Sequence, residues 1–115
     1  MTKPPLPALL IACASGFVIW ALSPWLTGHL EPWDAPGGYY FFALLLAGAM
    51  SAFIAARPLW AHYLGCVFGQ LVYGVLFLPM GPLAVVGLLF LVVWSLVFLV
   101  GAYLAALVRT HLTGR

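Results

Sequence analysis

The sequence predicts an all-α membrane protein, a compact bundle of four transmembrane helices, and three observations lead there. Of the 115 residues, 66% are hydrophobic and only 5% are charged, where a soluble domain carries about 25% charged residues. The apolar residues gather in four runs, each near the roughly 20 residues that cross a hydrocarbon core about 30 Å thick. Between the runs stand prolines and glycines, which remove an amide donor or accept turn dihedrals. With a mean hydropathy of +1.18, no segment is polar enough to fold apart in water, so residues 1–115 form a single domain.

The first run covers residues 6–27, and a helix is expected because in hydrocarbon it satisfies its own backbone hydrogen bonds. Leu10-Ile11-Ala12-Cys13 has the pattern of a lipidated signal, but three prolines precede it and the apolar run continues past Cys13 through Trp20. An uncleaved span therefore explains more of the sequence. Pro32, Pro36, Gly37 and Gly38 break the chain before the second run, residues 39–56. Arg57-Pro58 separates it from the third, residues 59–78, and Pro79-Met80-Gly81-Pro82 from the fourth, residues 83–108. The last is long enough to tilt or to pass the headgroups.

Cations set the orientation, because cytoplasmic loops are enriched in Lys and Arg. Lys3, Arg57, Arg109 and Arg115 all fall on one side of a four-span chain. Both termini are then cytoplasmic, in the inner membrane of a bacterium, and the loop 28–38 faces the periplasm. A formal net charge of +2, scattered along the chain, gives neither a nucleic-acid surface nor a basic cluster for anionic lipid. Cys13 and Cys66 lie in apolar runs, where free cysteine acts as a small hydrophobe.

Sliding the chain by 53 residues aligns Pro5, Leu6 and Ala8 with Pro58, Leu59 and Ala61, and Cys13 and Gly16 with Cys66 and Gly69. Gly28 and Leu30 meet Gly81 and Leu83, and Leu46, Gly48, Ala49 and Ala52 meet Leu99, Gly101, Ala102 and Ala105. Composition alone would supply roughly half of these identities. The alternatives are chance identity and two parallel helical hairpin repeats, since two spans per unit preserve orientation.

Chemistry could reside in four places. The stretch GHLEPWDAPGGYY holds His29 and both acidic residues, Glu31 and Asp34. Two carboxylates could hold a hard cation, but they supply too few oxygens alone, so no metal is expected. Aromatic residues surround the loop as at a membrane interface. It is either a solvated connection or a partner-binding loop carried by Glu31, Trp33 and Asp34. In the third run His62, Cys66, Gln70 and Tyr73 fall within about 80° of one helix face. A polar stripe there must face other helices or a water-filled path, because Gln70 in acyl chains would be unsatisfied. Small residues at Gly65-x-x-x-Gly69, Ala47-x-x-x-Ser51 and Gly101-x-x-x-Ala105 let backbones approach closely. Finally, no Asp, Glu, Lys or Arg occurs within any span, whereas ion-coupled transporters place such groups at mid-membrane.

The segments EPWD, YYFFALLLAG, RPLW, GQLVYG and FLPMGPL resemble those of small four-span bacterial membrane proteins with an outer EPWD loop. That resemblance covers nearly the whole chain and implies the fold; the family has no assigned activity to carry over. No nucleotide, haem or hydrolase motif appears, so neither an enzyme nor a cofactor is expected. The sequence points to a protein that acts by binding, as an accessory or structural subunit beside other membrane subunits in the bilayer. The alternative is a homo-oligomeric channel or carrier for a neutral or weakly polar solute, lined by the stripe from His62 to Tyr73.

Overall fold

Prolines and glycines place the helix ends. The computed structural model describes residues 4–28, 38–55, 58–77 and 84–112. Helix α1, Leu6–Thr27, follows Pro5 and carries Pro7 in its first turn, where the missing N–H has no helical partner anyway. It stops at Gly28, whose left-handed φ of 79° lets its amide reach the Pro24 carbonyl at 3.1 Å. Helix α2, Tyr39–Ile54, starts after Gly38 at φ 77° and ends where Ala55 leaves the helical region. Helix α3, Leu59–Phe77, begins after Pro58. Helix α4, Ala84–Leu112, is the longest at 29 residues.

These helices differ from the expected spans at two described ends. The second helix stops at Ile54, with Ala55 already outside it, while residues 56, 78 and 83 lie outside the described residues. The fourth helix runs four residues past 108. Arg109, Thr110 and His111 continue it, because a polar residue ends a hydrocarbon span without ending a helix. Three helices, α1, α3 and α4, are long and apolar enough to cross a membrane. Helix α2 is as apolar, but its 16 residues reach only about 24 Å.

Small residues decide which helices meet. The closest pairs are α1 with α3 and α2 with α4; α3 also packs on α4 and α1 on α2, while α2 and α3 scarcely touch. The order around the bundle is thus α1, α3, α4, α2. Along the first seam Leu9 meets Gly65, Cys13 meets Gly69, and Phe17 meets Tyr73 and Phe77, so α1 and α3 run parallel. Along the second, Tyr40 meets Trp94, Gly48 meets Phe98, and Ala52 packs with Ala102 and Ala105, so α2 and α4 are parallel as well.

Both seams are backbone to backbone. A Cβ on Gly16 would stand 2.6 Å from the Cys66 carbonyl oxygen, and one on Gly65 2.6 Å from that of Leu9. Gly69 lies tighter still against the Cys13 carbonyl, Gly48 against that of Phe98 and Gly101 against that of Leu45. Large apolar side chains point the other way: Leu10, Leu46, Phe68 and Leu89 are all exposed. Small residues inside and Leu, Phe and Val outside is the arrangement of helices that associate within lipid, where close packing rather than burial of large apolar groups drives assembly.

Candidate functional site

Gln70 sits at the middle of α3 with 1% of its surface exposed, and the helices meet around its amide. The Trp20 indole of α1 donates Nε1–H to Gln70 Oε1 at 2.7 Å, and the Tyr40 hydroxyl of α2 donates to the same oxygen. Since an indole N–H can only donate, it fixes which end of the amide is the oxygen. Gln70 Nε2 then donates to Ser95 Oγ of α4 at 2.9 Å and toward the Cys66 carbonyl and Sγ, each at 3.2 Å. Ser95 passes its own proton to the Leu91 carbonyl at 2.8 Å. Every helix contributes to the network, and among the described residues no buried side-chain nitrogen or oxygen lacks a partner.

Aromatic rings enclose this network. Trp20 lies edge-on to Tyr40 with centroids 6.3 Å apart, Tyr40 is 4.9 Å from Trp94, and Trp20 is 6.2 Å from Tyr73. Tyr73 also meets Phe17 and Phe77. Rings at these separations attract one another, Trp20 with Tyr40 and Phe17 with Tyr73 edge to face and the others tilted, and they cover the amide with apolar surface. The low local dielectric strengthens the satisfied hydrogen bonds and raises the cost of an unsatisfied one.

A second polar contact lies where α2 and α3 otherwise scarcely meet. His62 is fully buried, with Nε2 2.5 Å from the Ala55 carbonyl oxygen and Nδ1 2.8 Å from Ser51 Oγ. A carbonyl only accepts, so Nε2 carries the proton and Nδ1 accepts from the Ser51 hydroxyl. The imidazole thereby satisfies a carbonyl left without a helical partner at the end of α2. Tyr39 of α2 likewise donates to the Ile19 carbonyl of α1 at 2.6 Å, and Tyr63 of α3 to the Val92 carbonyl of α4 at 2.7 Å.

The four residues of the expected stripe divide between separate places. Cys66 and Gln70 turn into the four-helix centre, His62 turns toward α2, and Tyr73 is half-buried among rings. Their partners Trp20, Tyr40, Ser51 and Ser95 are spread over α1, α2 and α4 and share no spacing in the sequence. An apolar groove between α1 and α3, lined by Leu9, Leu10, Cys13, Leu64, Phe68 and Leu71 among others, includes none of the network residues. Glu31, Trp33 and Asp34 lie outside the described residues, as do His29, Lys3, Arg57 and Arg115. Among the described residues no cluster of three metal-ligating side chains occurs. Comparison of the chain with protein-family models, with curated proteins and with solved structures finds no match.

Proposed function

We propose that this chain is a four-span protein of a bacterial inner membrane that acts by binding, as an accessory or structural subunit of a larger membrane assembly. The observation that carries this reading is the closure of the Gln70 network. A solute path needs polar groups left over to meet the solute, whereas here Gln70 spends both ends of its amide on Trp20, Tyr40, Ser95 and Cys66. The same closure weighs against a channel or carrier lined by the stripe from His62 to Tyr73. What remains for recognition is the outer connection between α1 and α2, with Glu31, Trp33 and Asp34.

The parallel seams support four spans. If α1 and α3 cross the membrane in the same sense, the segment joining them must cross back, and α2 is that segment despite its length. A short span is accommodated by local thinning of the bilayer at modest cost. Arg109, near the end of α4, then shares the cytoplasmic side with Lys3 and Arg57. Reporter fusions after residue 115 and within 30–36 should report opposite compartments, and an outer C-terminus would overturn the topology.

The glycine contacts also support two parallel hairpin repeats. Gly16 on Cys66 is mirrored by Gly69 on Cys13, and Gly48 on Phe98 by Gly101 on Leu45. Every residue in these pairs lies 53 positions from its counterpart. A single symmetric seam could have any offset, so two separate seams sharing one offset favour a duplicated hairpin.

Native purification followed by mass spectrometry tests the binding role. A stoichiometric foreign subunit is expected, and Glu31→Gln with Asp34→Asn should weaken its retention while the isolated chain stays folded. A carboxylate paired with a cation contributes about 1–3 kcal/mol, and an exposed one almost nothing. Purification of this chain alone, unchanged by the double substitution, would sink the accessory role.

A further inference from the structure

His62 is a buried titratable group that the Gln70 network leaves unused. Tyr40 ties the outer end of α2 to Gln70 of α3. At the inner end, among the described residues, the hydrogen bonds between these two helices all come from one imidazole, which joins Ser51 and the Ala55 carbonyl. The ring is fully buried and lies against Phe98 of α4 with centroids 6.4 Å apart. Because α2 and α3 otherwise scarcely touch, the cohesion of that end passes through a side chain whose type gains a proton in water near pH 6.5.

The two bonds require the neutral ring. Nε2 donates to Ala55, so Nδ1 offers its lone pair to the Ser51 hydroxyl. A proton on Nδ1 takes that lone pair, and Ser51 must turn its hydroxyl away and face the ring as an acceptor. The charge itself costs more, because a buried cation is tolerated only beside a partner. Around the ring, α2 offers a hydroxyl and a carbonyl and α4 offers Phe98. The titratable side chains of α1, α2 and α3 are, besides His62, only cysteines and tyrosines, and α4 adds Tyr103, Arg109 and His111. None is a carboxylate. Both acids of the chain, Glu31 and Asp34, belong to the outer connection. The carbonyl end of α2 favours a cation, and the amide end of α3, whose fourth residue is His62, opposes it, so the helix dipoles offset each other.

We propose that His62 is an acid-sensitive latch: a proton drawn from the inner aqueous phase onto Nδ1 breaks the Ser51 bond and releases the inner end of α2 from α3. One proton is taken up and no covalent bond changes. The bond from Tyr40 to Gln70 has no titrating partner at this pH, so the response is a local opening of one end. The latch goes beyond the accessory role and does not rest on it; the proposed orientation only names the cytoplasm as the source of the proton.

Thermal unfolding of the full chain in detergent, from about pH 8 to about pH 5.5, tests the latch. His29→Gln with His111→Gln leaves His62 as the one histidine of the original three. The unfolded chain then takes up the proton more readily than the folded one, so stability falls as pH falls. The folding equilibrium constant should be flat above about pH 7 and drop toward tenfold per pH unit below about 6.5. Adding His62→Gln, whose amide can still donate to the Ala55 carbonyl, should abolish the drop. Hydrogen exchange in the single-histidine chain reads the latch even if that variant does not fold. With intrinsic rates divided out, residues 50–55 should exchange at least about tenfold faster at about pH 5.5 than at about pH 7.5, relative to residues 40–45. A drop that survives His62→Gln, no drop in the single-histidine chain, or exchange that rises equally along α2 would overturn the proposal.

Discussion

Gln70→Leu should destabilise the chain by about 2–4 kcal/mol, more than any other single side-chain truncation in the described interior. The volume is nearly conserved, so the loss is polar. The substitution strips the acceptor from Trp20 Nε1–H and from the Tyr40 hydroxyl, and the donor from Ser95 Oγ. Leaving a buried partner unsatisfied costs about 1–3 kcal/mol each, and interhelical hydrogen bonds in membranes fall toward the lower end of such values. Ser95 loses least, since its own proton still reaches the Leu91 carbonyl. Adding Trp20→Phe and Tyr40→Phe to the leucine variant should recover much of the stability, because removing both partners leaves nothing unpaired. Thermal unfolding in detergent measures all three chains. A leucine variant as stable as wild type would mean the network does not hold the bundle, and a triple variant no better than the single would assign the loss to packing. Under the accessory role, Gln70→Leu in cells should lower the amount of assembled complex only in proportion to the amount of folded chain.

How much of this arrangement the sequence discloses depends on whether a feature is local. The limits of α1 are legible because Pro5 and Gly28 punctuate it. The end of α2 is not, because Ala55 and Ala56 continue an apolar run while the last carbonyl is taken by His62, seven residues on. The end of α4 is hidden for a related reason, since hydropathy marks where hydrocarbon ends and Arg109 belongs to a helix that continues. The burial of His62, Cys66 and Gln70 follows from their shared helix face. Their partners do not, because Trp20, Tyr40 and Ser95 become neighbours of Gln70 only through the order α1, α3, α4, α2 around the bundle. That order depends on which glycine meets which carbonyl, and no period in a single helix encodes it. The 53-residue offset comes closest, since it pairs Gly16 with Gly69 and Gly48 with Gly101, four of the glycines that meet carbonyls across the seams.

Those glycines carry the other large expected effect. Gly69→Ala and Gly101→Ala should each cost about 1–3 kcal/mol, and more if the two helices cannot separate. The added methyl would stand well under 3.0 Å from the Cys13 carbonyl in one case and the Leu45 carbonyl in the other. Both obstacles are backbone, which cannot rotate aside as a side chain can, so each pair of helices must move apart, and the α1–α3 seam opened by Gly69→Ala also sets the Trp20 to Gln70 distance. Helix propensity pulls the opposite way, since alanine in a helix is favoured over glycine by about 0.5–1 kcal/mol. Gly74 of α3 and Gly87 of α4 isolate that opposing effect, because a Cβ there meets nothing within 4 Å. Gly74→Ala and Gly87→Ala should therefore leave stability unchanged or raise it slightly. The difference between Gly69→Ala and Gly74→Ala, two changes of the same chemistry in one helix, then reads the seam alone. Because Gly69 and Gly101 serve different seams, their effects should add within about 0.5 kcal/mol. Thermal unfolding of the four single variants and the Gly69/Gly101 double variant in one detergent decides it: a Gly69→Ala chain as stable as Gly74→Ala would mean that α1 and α3 do not meet backbone to backbone, and the helix order that brings Gln70 to its partners would fall with that seam.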